Sequence, residues 1–212
     1  HLDSDAKIYY TIDGSEPNEN SNLYTEPFVI NESSDVRAVA IKDGKKSNVV
    51  EGNFKKIAAG RTVKIENRYN SQYEAGGDIA LIDFQRGSNN FRVGTWQGYH
   101  GVDLIATVDL SEVQDINRLA GSFLQDQKSW IFMPKQVEFF VSNDGKNFKS
   151  VGVVKNHISQ ETEEPVMYEF SIDKKLSARY IKMVAKKIDA CPDWHVGAGE
   201  PGWIFCDEIV IE

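Results

Sequence analysis

Short runs rich in Val, Ile, Tyr and Phe recur along the whole chain, divided by turns built on Asp-Gly and Asn, and almost nothing carries helical spacing. That punctuation constrains the fold more than any other feature. In "KQVEFFVSN", Val137, Phe139 and Val141 alternate with Glu138 and Ser142, so one face is buried and the other half-wet. "DGSEPN", "DGKKS" and "SNDGKNF" supply the Asp-Gly and Pro chemistry of tight hairpins. No strand–helix alternation appears, which argues against a parallel α/β enzyme fold and leaves an all-β chain.

The strands fall into two groups. Runs at 7–12, 23–30, 35–41 and 47–54 predict a small antiparallel, Ig-like sandwich. It is incomplete, because a seven-strand sandwich needs further strands upstream. The chain opens His1-Leu2-Asp3 without an initiator methionine, which reads as a piece of a longer protein. "KKIAAGRTVK" (55–64) is a basic connector of small residues. Beyond it, runs at 102–110, 116–124, 135–143, 148–154, 166–172, 178–188 and 203–212 suit a jelly roll or a related sandwich. The expected domains are therefore 1–57 and 58–212.

Charge and length narrow the partners. A net charge of -8 over 212 residues argues against nucleic acid, which wants a basic stripe. No stretch approaches the roughly 20 apolar residues of a transmembrane helix, and no signal peptide is present in the sequence as it stands. Cys191 and Cys206 could close a short disulfide loop or stand as two reduced thiols, and the sequence leaves both open.

Three chemistries compete at the loops. Cys191, Asp193, His195 and Cys206 lack the paired spacing of a zinc site. Calcium fits better, since it takes oxygens from a tight loop. "IDFQRGSNNF" (82–91) is such a loop, with Asp83, Ser88 and Asn89 as donors and Glu208 as a second carboxylate. For catalysis there is no G-x-S-x-G, no H-E-x-x-H and no phosphate-cradling glycine loop, so no catalytic residues are assigned and the chain is not expected to be an enzyme itself. Sugar binding has the strongest signal. A pyranose is met by an aromatic plate beside amides and carboxylates. "TWQGYHG" offers Trp96, Gln97, Tyr99 and His100; "LQDQKSWIF" offers Gln125, Asp126 and Trp130; "CPDWHVGAGEPGW" offers Trp194, His195 and Trp203. Trp203, at the start of a strand, is expected to be packed, and Trp194, flanked by Asp193 and His195, to be exposed. The expected carbohydrate site is Gln97, Tyr99, Gln125, Asp126, Trp130, Trp194 and His195, converging at one apex.

"YYTIDGSEP", "LYTEPF" and "VRAVAIKDGKKS" resemble the small sandwich domain that follows the catalytic barrel of bacterial chitobiases and β-N-acetylhexosaminidases. "ALIDFQRGS", "WQGYHGVDLIATVDL", "VEFFVSNDGKNF", "ARYIKMVA" and "WIFCDEIVI" resemble a coagulation-factor type C (discoidin-like) domain, the fold of family 32 carbohydrate-binding modules. The tandem order is similar to the C-terminal region of hexosaminidases of gut Bacteroidetes. The resemblance implies a structural calcium held by Asp83 and Glu208. It also implies a glycan partner of terminal N-acetylhexosamine or galactose type, a parent glycoside hydrolase carrying the catalytic domain, and a secreted, periplasmic or cell-surface location. The resemblance places Gln97 where galactose binders carry a histidine, Gln125 near their arginine and Trp130 close to their asparagine, a departure from the galactose-binding pattern, while Trp194 matches the aromatic expected in the last loop. The alternative is a structural module that packs against the catalytic domain and binds no sugar.

Overall fold

A computed structural model describes residues 5–212, so the opening His1-Leu2-Asp3 lies outside the described residues. The chain forms two compact units, one up to Lys56 and one from Ile57. In the first, β1 (Lys7–Thr11), β2 (Asn22–Leu23), β3 (Ser34–Lys42), β4 (Lys45–Lys46) and β5 (Val50–Phe54) make one antiparallel sheet. Its order is β2-β1-β3-β4, with β5 also on β3. Tyr9 faces Val39 across β1 and β3, and Val39 and Ile41 are buried. The strand expected over 23–30 contracts to two residues. Pro27 has no N–H for a ladder, and Phe28 instead stacks its ring on Tyr10 with centroids 4.5 Å apart. Ser47 ties its N–H to the Ala40 carbonyl at 2.9 Å, and β5 starts only at Val50.

The second unit contains β6 (Thr62–Ile65), β7 (Gln97–His100), β8 (Leu104–Gln125), β9 (Gln136–Ser142), β10 (Lys149–Lys155), β11 (Val166–Lys186) and β12 (Trp203–Ile211). Their order is β10-β9-β11-β8-β12-β7, with β6 on the early part of β8. Two expected pairs of strands are single long strands here. The polar "SEVQD" between 110 and 116 reads as a turn, yet Gln114 and Asp115 stay paired with Ala178 and Ser177 of β11. Register shifts between Asp173 and Leu176, and between Ala178 and Tyr180, bend the ribbon instead. Its two halves then face each other as a jelly-roll sandwich. Met183 from one half lies against Gly121 from the other, where a side chain on residue 121 would collide with its sulfur. Between them Leu104, Val108, Leu119, Phe123, Phe139, Phe170 and Ile181 are fully buried. Each such side chain contributes about 1.5–3 kcal/mol relative to exposure, which makes the sandwich a stiff base for its loops.

Candidate functional site

The thirteen-residue loop 191–203 is folded on itself. The Cys191 N–H donates to the Glu200 carbonyl at 2.8 Å, and the Gly199 N–H donates back to the Cys191 carbonyl at 3.0 Å. Inside this closure, turns link Pro192 to His195, His195 to Ala198 and Gly197 to Glu200. Gly199 sits at φ +85°, a region that favours glycine. Gly197 lies flat against the Trp130 indole, and any side chain there would enter the ring. Cys191 and Cys206 are both free, buried thiols, and burial raises both above the ordinary thiol pKa.

His195 is the clamp of this loop. It is 6% exposed, its Nδ1 accepts the Gly197 N–H at 3.0 Å, and Nε2 therefore donates to the Gln127 carbonyl at 2.8 Å. Its ring meets Trp130, Phe132 and Trp194 edge-on, at 5.5, 5.4 and 5.7 Å. Both ring nitrogens are spent inside the protein, so the expected contact of His195 with a sugar is corrected to a positioning role. Trp194, held by that ring, is 47% exposed. Half-buried Asp126 accepts the Ser129 hydroxyl at 2.8 Å, and Asp126 and Ile131 exchange both backbone bonds, closing the turn that carries Trp130 at φ +65°. Trp130 is half-buried, with one ring face occupied by Gly197.

The three other expected ligand residues turn inward. Gln97 donates to the Gly77 carbonyl at 2.6 Å and accepts the Tyr99 hydroxyl at 2.7 Å. Gln125 donates to the Ser159 carbonyl at 2.7 Å. All three have no exposed surface. The cause is position: β7 and the end of β8 run through the interior, so these amides fasten the 74–77 and 156–165 loops and offer nothing to solvent. Burial pushes the Tyr99 phenol far above its usual pKa. Trp96 is also buried and donates to the Ser88 carbonyl at 2.9 Å. Trp203 is half-buried and stacks with exposed His100 at 4.5 Å.

The remaining loop residues are linked by a relay of contacts. From Trp194 the contacts run through His195 to Trp130, whose carbonyl accepts the Trp203 N–H at 2.9 Å. Trp203 meets Tyr73 at 5.4 Å, and Tyr73 meets Phe91 at 5.8 Å. Beside Tyr73 opens a cleft of about 510 Å³ between loops 71–76 and 91–96, bordered by Gln72, Tyr73, Glu74, Phe91, Arg92 and Trp96. Strand period and turn chemistry do not reveal this cleft. Its signal lay in an aromatic followed by an acid ("QYEAGG") and an aromatic followed by a base ("NFRVG"), each next to glycine.

Beneath these loops is a buried acidic group. Glu208 accepts the Phe84 N–H at 2.8 Å, and Asp207 accepts the Gly87 N–H at 2.6 Å and the Arg86 Nε at 3.3 Å. One oxygen of each carboxylate is buried and bonds to no described residue, while at Asp207 burial, which disfavours the charge, is opposed by the Ser122 hydroxyl, which favours it. Burial, reinforced by the nearby Asp83 and Asp207 charges, pushes Glu208 up to about 8. Burial likewise raises Asp207 and Asp83, while the Gln85 N–H opposes it at Asp83 from 2.8 Å. Arg61 contributes an equally unpartnered buried Nε, and its burial lowers its pKa while Glu208 raises it. Ser88 and Asn89 are exposed on the same loop. No three His, Cys, Asp or Glu among the described residues close into a metal-holding group, so a cation here would need main-chain carbonyls as further ligands. The orphaned oxygens of Glu208 and Asp207 are hard donors that suit such an ion.

The F5/8 type C domain model matches residues 66–204, and the Fn3 associated model matches residues 1–54. No curated protein matches. Among solved structures, CBM32-1 from a family 31 glycoside hydrolase of Clostridium perfringens is 15% identical, with TM-score 0.47, over 74% of this chain and 97% of its own. CpGH89CBM32-5 of the same organism, in complex with GalNAc-β-1,3-galactose, is 17% identical, with TM-score 0.44, over 71% and 94%. A fucolectin from striped bass (Morone saxatilis) serum is 18% identical, with TM-score 0.46, over 76% and 49%.

Proposed function

This chain belongs to the F5/8 type C domain family, and from that premise we propose that its second unit is a non-catalytic carbohydrate-binding module. The observation that carries the reading is Trp194: an indole 47% exposed, at a loop end, on a residue clamped from beneath. A flat apolar ring held rigid in water costs little entropy when it stacks on the C–H face of a pyranose. Trp130, which meets the same His195 ring, offers a second apolar edge, and Asp126, on the turn that carries Trp130, offers a hydroxyl acceptor. The parent is a glycoside hydrolase of the β-N-acetylhexosaminidase type, outside the cell or on its surface. Tethering raises the local concentration of the enzyme at glycan, so millimolar affinity suffices. Glycan-array screening followed by calorimetric titration of wild type and Trp194→Ala tests this. Loss of binding in a folded variant supports it, and unchanged binding refutes Trp194 as the platform.

Calcium belongs to the same proposal. Glu208, Asp83 and Ser88 would hold it together with main-chain carbonyls, and its charge would relieve the unpartnered carboxylate oxygens below the loops. Its part is to stiffen the loop 82–91, and no binding step runs through it.

The rival reading, an interaction module that packs on a catalytic domain, draws on the first unit. There Val29, Val50 and Phe54 are 81%, 70% and 51% exposed. Absence of glycan binding by the folded wild type would favour it.

A further inference from the structure

We infer that the cleft between loops 71–76 and 91–96 is a second saccharide subsite, selective for a carboxylate-bearing pyranose, with Arg92 as its anion contact. This rests on the carbohydrate-binding reading above and names a ligand class for a part of the surface that reading leaves unused. Arg92 is exposed, and its guanidinium carbon sits 4.2 Å from the centre of the Phe91 ring. Asn90 caps the short 3-10 turn Phe91–Val93 by accepting the Arg92 N–H at 3.2 Å, which fixes the residue's backbone. The side chain is thus held in place, yet it makes no ion pair with any described carboxylate, Glu74 of the same cleft included. Four of the other five arginines of the second unit are spent on carboxylates: Arg68 on Asp78, Arg86 on Glu169 and Asp207, Arg118 on Glu169, Arg179 on Asp109. The fifth, Arg61, lies half-buried within the field of Glu208. In a chain of net charge -8, an anchored and unpaired guanidinium in a concave site is the exception.

A planar guanidinium presents two parallel N–H donors, and a carboxylate returns two oxygens at matching spacing. The remaining lining suits the rest of a sugar ring. Tyr73 keeps a hydroxyl that bonds to no described residue and an apolar ring edge; Gln72 and Ser71 offer an amide and a hydroxyl; Glu74 can only accept. Glu74 therefore favours the neutral, hydroxyl-bearing side of the ligand and opposes a second anion, which fits one carboxylate per ring. At Gly94 and Gly76 nothing stands within 4 Å of where a side chain would begin, so the mouth is open. The volume of about 510 Å³ falls in the ordinary range for small-ligand sites. Tyr73 and Trp203 tie the cleft by contacts to the turn that carries Trp130.

The test is calorimetric titration of the full chain with oligogalacturonate and oligoglucuronate, with the same oligosaccharides after carboxyl reduction, and with a sulfated neutral oligosaccharide. At least one uronate should bind about tenfold more tightly than its reduced form. Arg92→Ala should erase that preference, Arg92→Lys should restore only part of it, and Trp194→Ala should weaken acidic and neutral forms alike. Equal binding of acidic and reduced forms, or a preference that survives Arg92→Ala, overturns the subsite. So does equal binding of the sulfated sugar, which would show a general anion contact. If Trp194→Ala abolishes binding of a neutral glycan while Arg92→Ala changes nothing, the module reading stands and the subsite falls. If no glycan binds at all, both fall.

Discussion

Replacing His195 by alanine should cost far more stability than its loop position suggests. Two hydrogen bonds disappear, at about 1 kcal/mol each net, and the Gly197 N–H is left buried without an acceptor. Edge-on contacts with three aromatic rings go as well, each of about 0.5–1.5 kcal/mol. Some of this is recovered as Trp130 and Trp194 relax into the space, so the net expectation is about 3 kcal/mol. For a unit of this size that is a fall in melting temperature of roughly 6–12 °C. Trp194→Ala removes a ring already half in water and should cost only about 1 kcal/mol. His195→Phe keeps the ring contacts and loses both hydrogen bonds, so it should fall between the two. Thermal unfolding followed by near-ultraviolet circular dichroism measures all three. If His195→Ala costs no more than Trp194→Ala, the loop is not clamped from beneath, and the rigid-platform argument for Trp194 fails with it.

Gln97→Ala should destabilise by about 2–4 kcal/mol, because it strands the Tyr99 hydroxyl and the Gly77 carbonyl in the interior; hydrogen exchange should show faster protons in the 74–77 loop. Calcium at a hundredfold excess over its dissociation constant should stabilise wild type by about 2.7 kcal/mol, seen as a raised melting temperature that a chelator reverses; Glu208→Gln should be insensitive to both, and a wild type indifferent to calcium would sink the cation. Asp144 accepts from the Lys146 and Asn147 N–H groups at 2.9 and 2.8 Å and from the Ser142 hydroxyl, which holds its carboxyl well below the ordinary value of 3.8. A depressed folded pKa gives stability that is present above the unfolded value and lost as pH falls toward the folded one. The β9–β10 hairpin should therefore weaken below about pH 4 in wild type, while Asp144→Ala should melt lower at neutral pH and show a flatter acid limb.

The fold was legible because strand period and turn chemistry are local. "SNDGKNF" makes its hairpin with Gly145 at φ +68° and Asp144 as the knot, as Asp-Gly implies. What the sequence hid was continuity. A polar stretch such as 111–115 looks like a turn when only hydrophobicity is read, yet two strands that leave the core together can keep their ladder with both faces wet. The bends of β8 and β11 arise from register shifts between partners, and a shift has no signature in one strand alone. β6 and β7 escaped for a simpler reason: at four residues each they are too short to show a period.

The site was half legible, and the division follows side-chain chemistry. Glutamines in loop-like segments next to aromatics read as ligand contacts, because an amide both donates and accepts. That same versatility suits an amide to fasten a loop from inside, where carbonyls of irregular backbone need donors. Gln97 and Gln125 do that work on Gly77 and Ser159. Composition cannot separate the two uses; only the direction of the strand beneath does. Indole behaves otherwise. Of the four tryptophans, Trp96 is buried, Trp130 and Trp203 are half-covered, and Trp194 stays in water because the turns from Pro192 to Glu200 leave it no pocket. An exposed ring that the protein spends a buried histidine to steady, instead of covering, is placed for contact with something else. The same reasoning applied to charge singles out Arg92, since a guanidinium fixed on an aromatic and left without a carboxylate has its direction settled and its partner open.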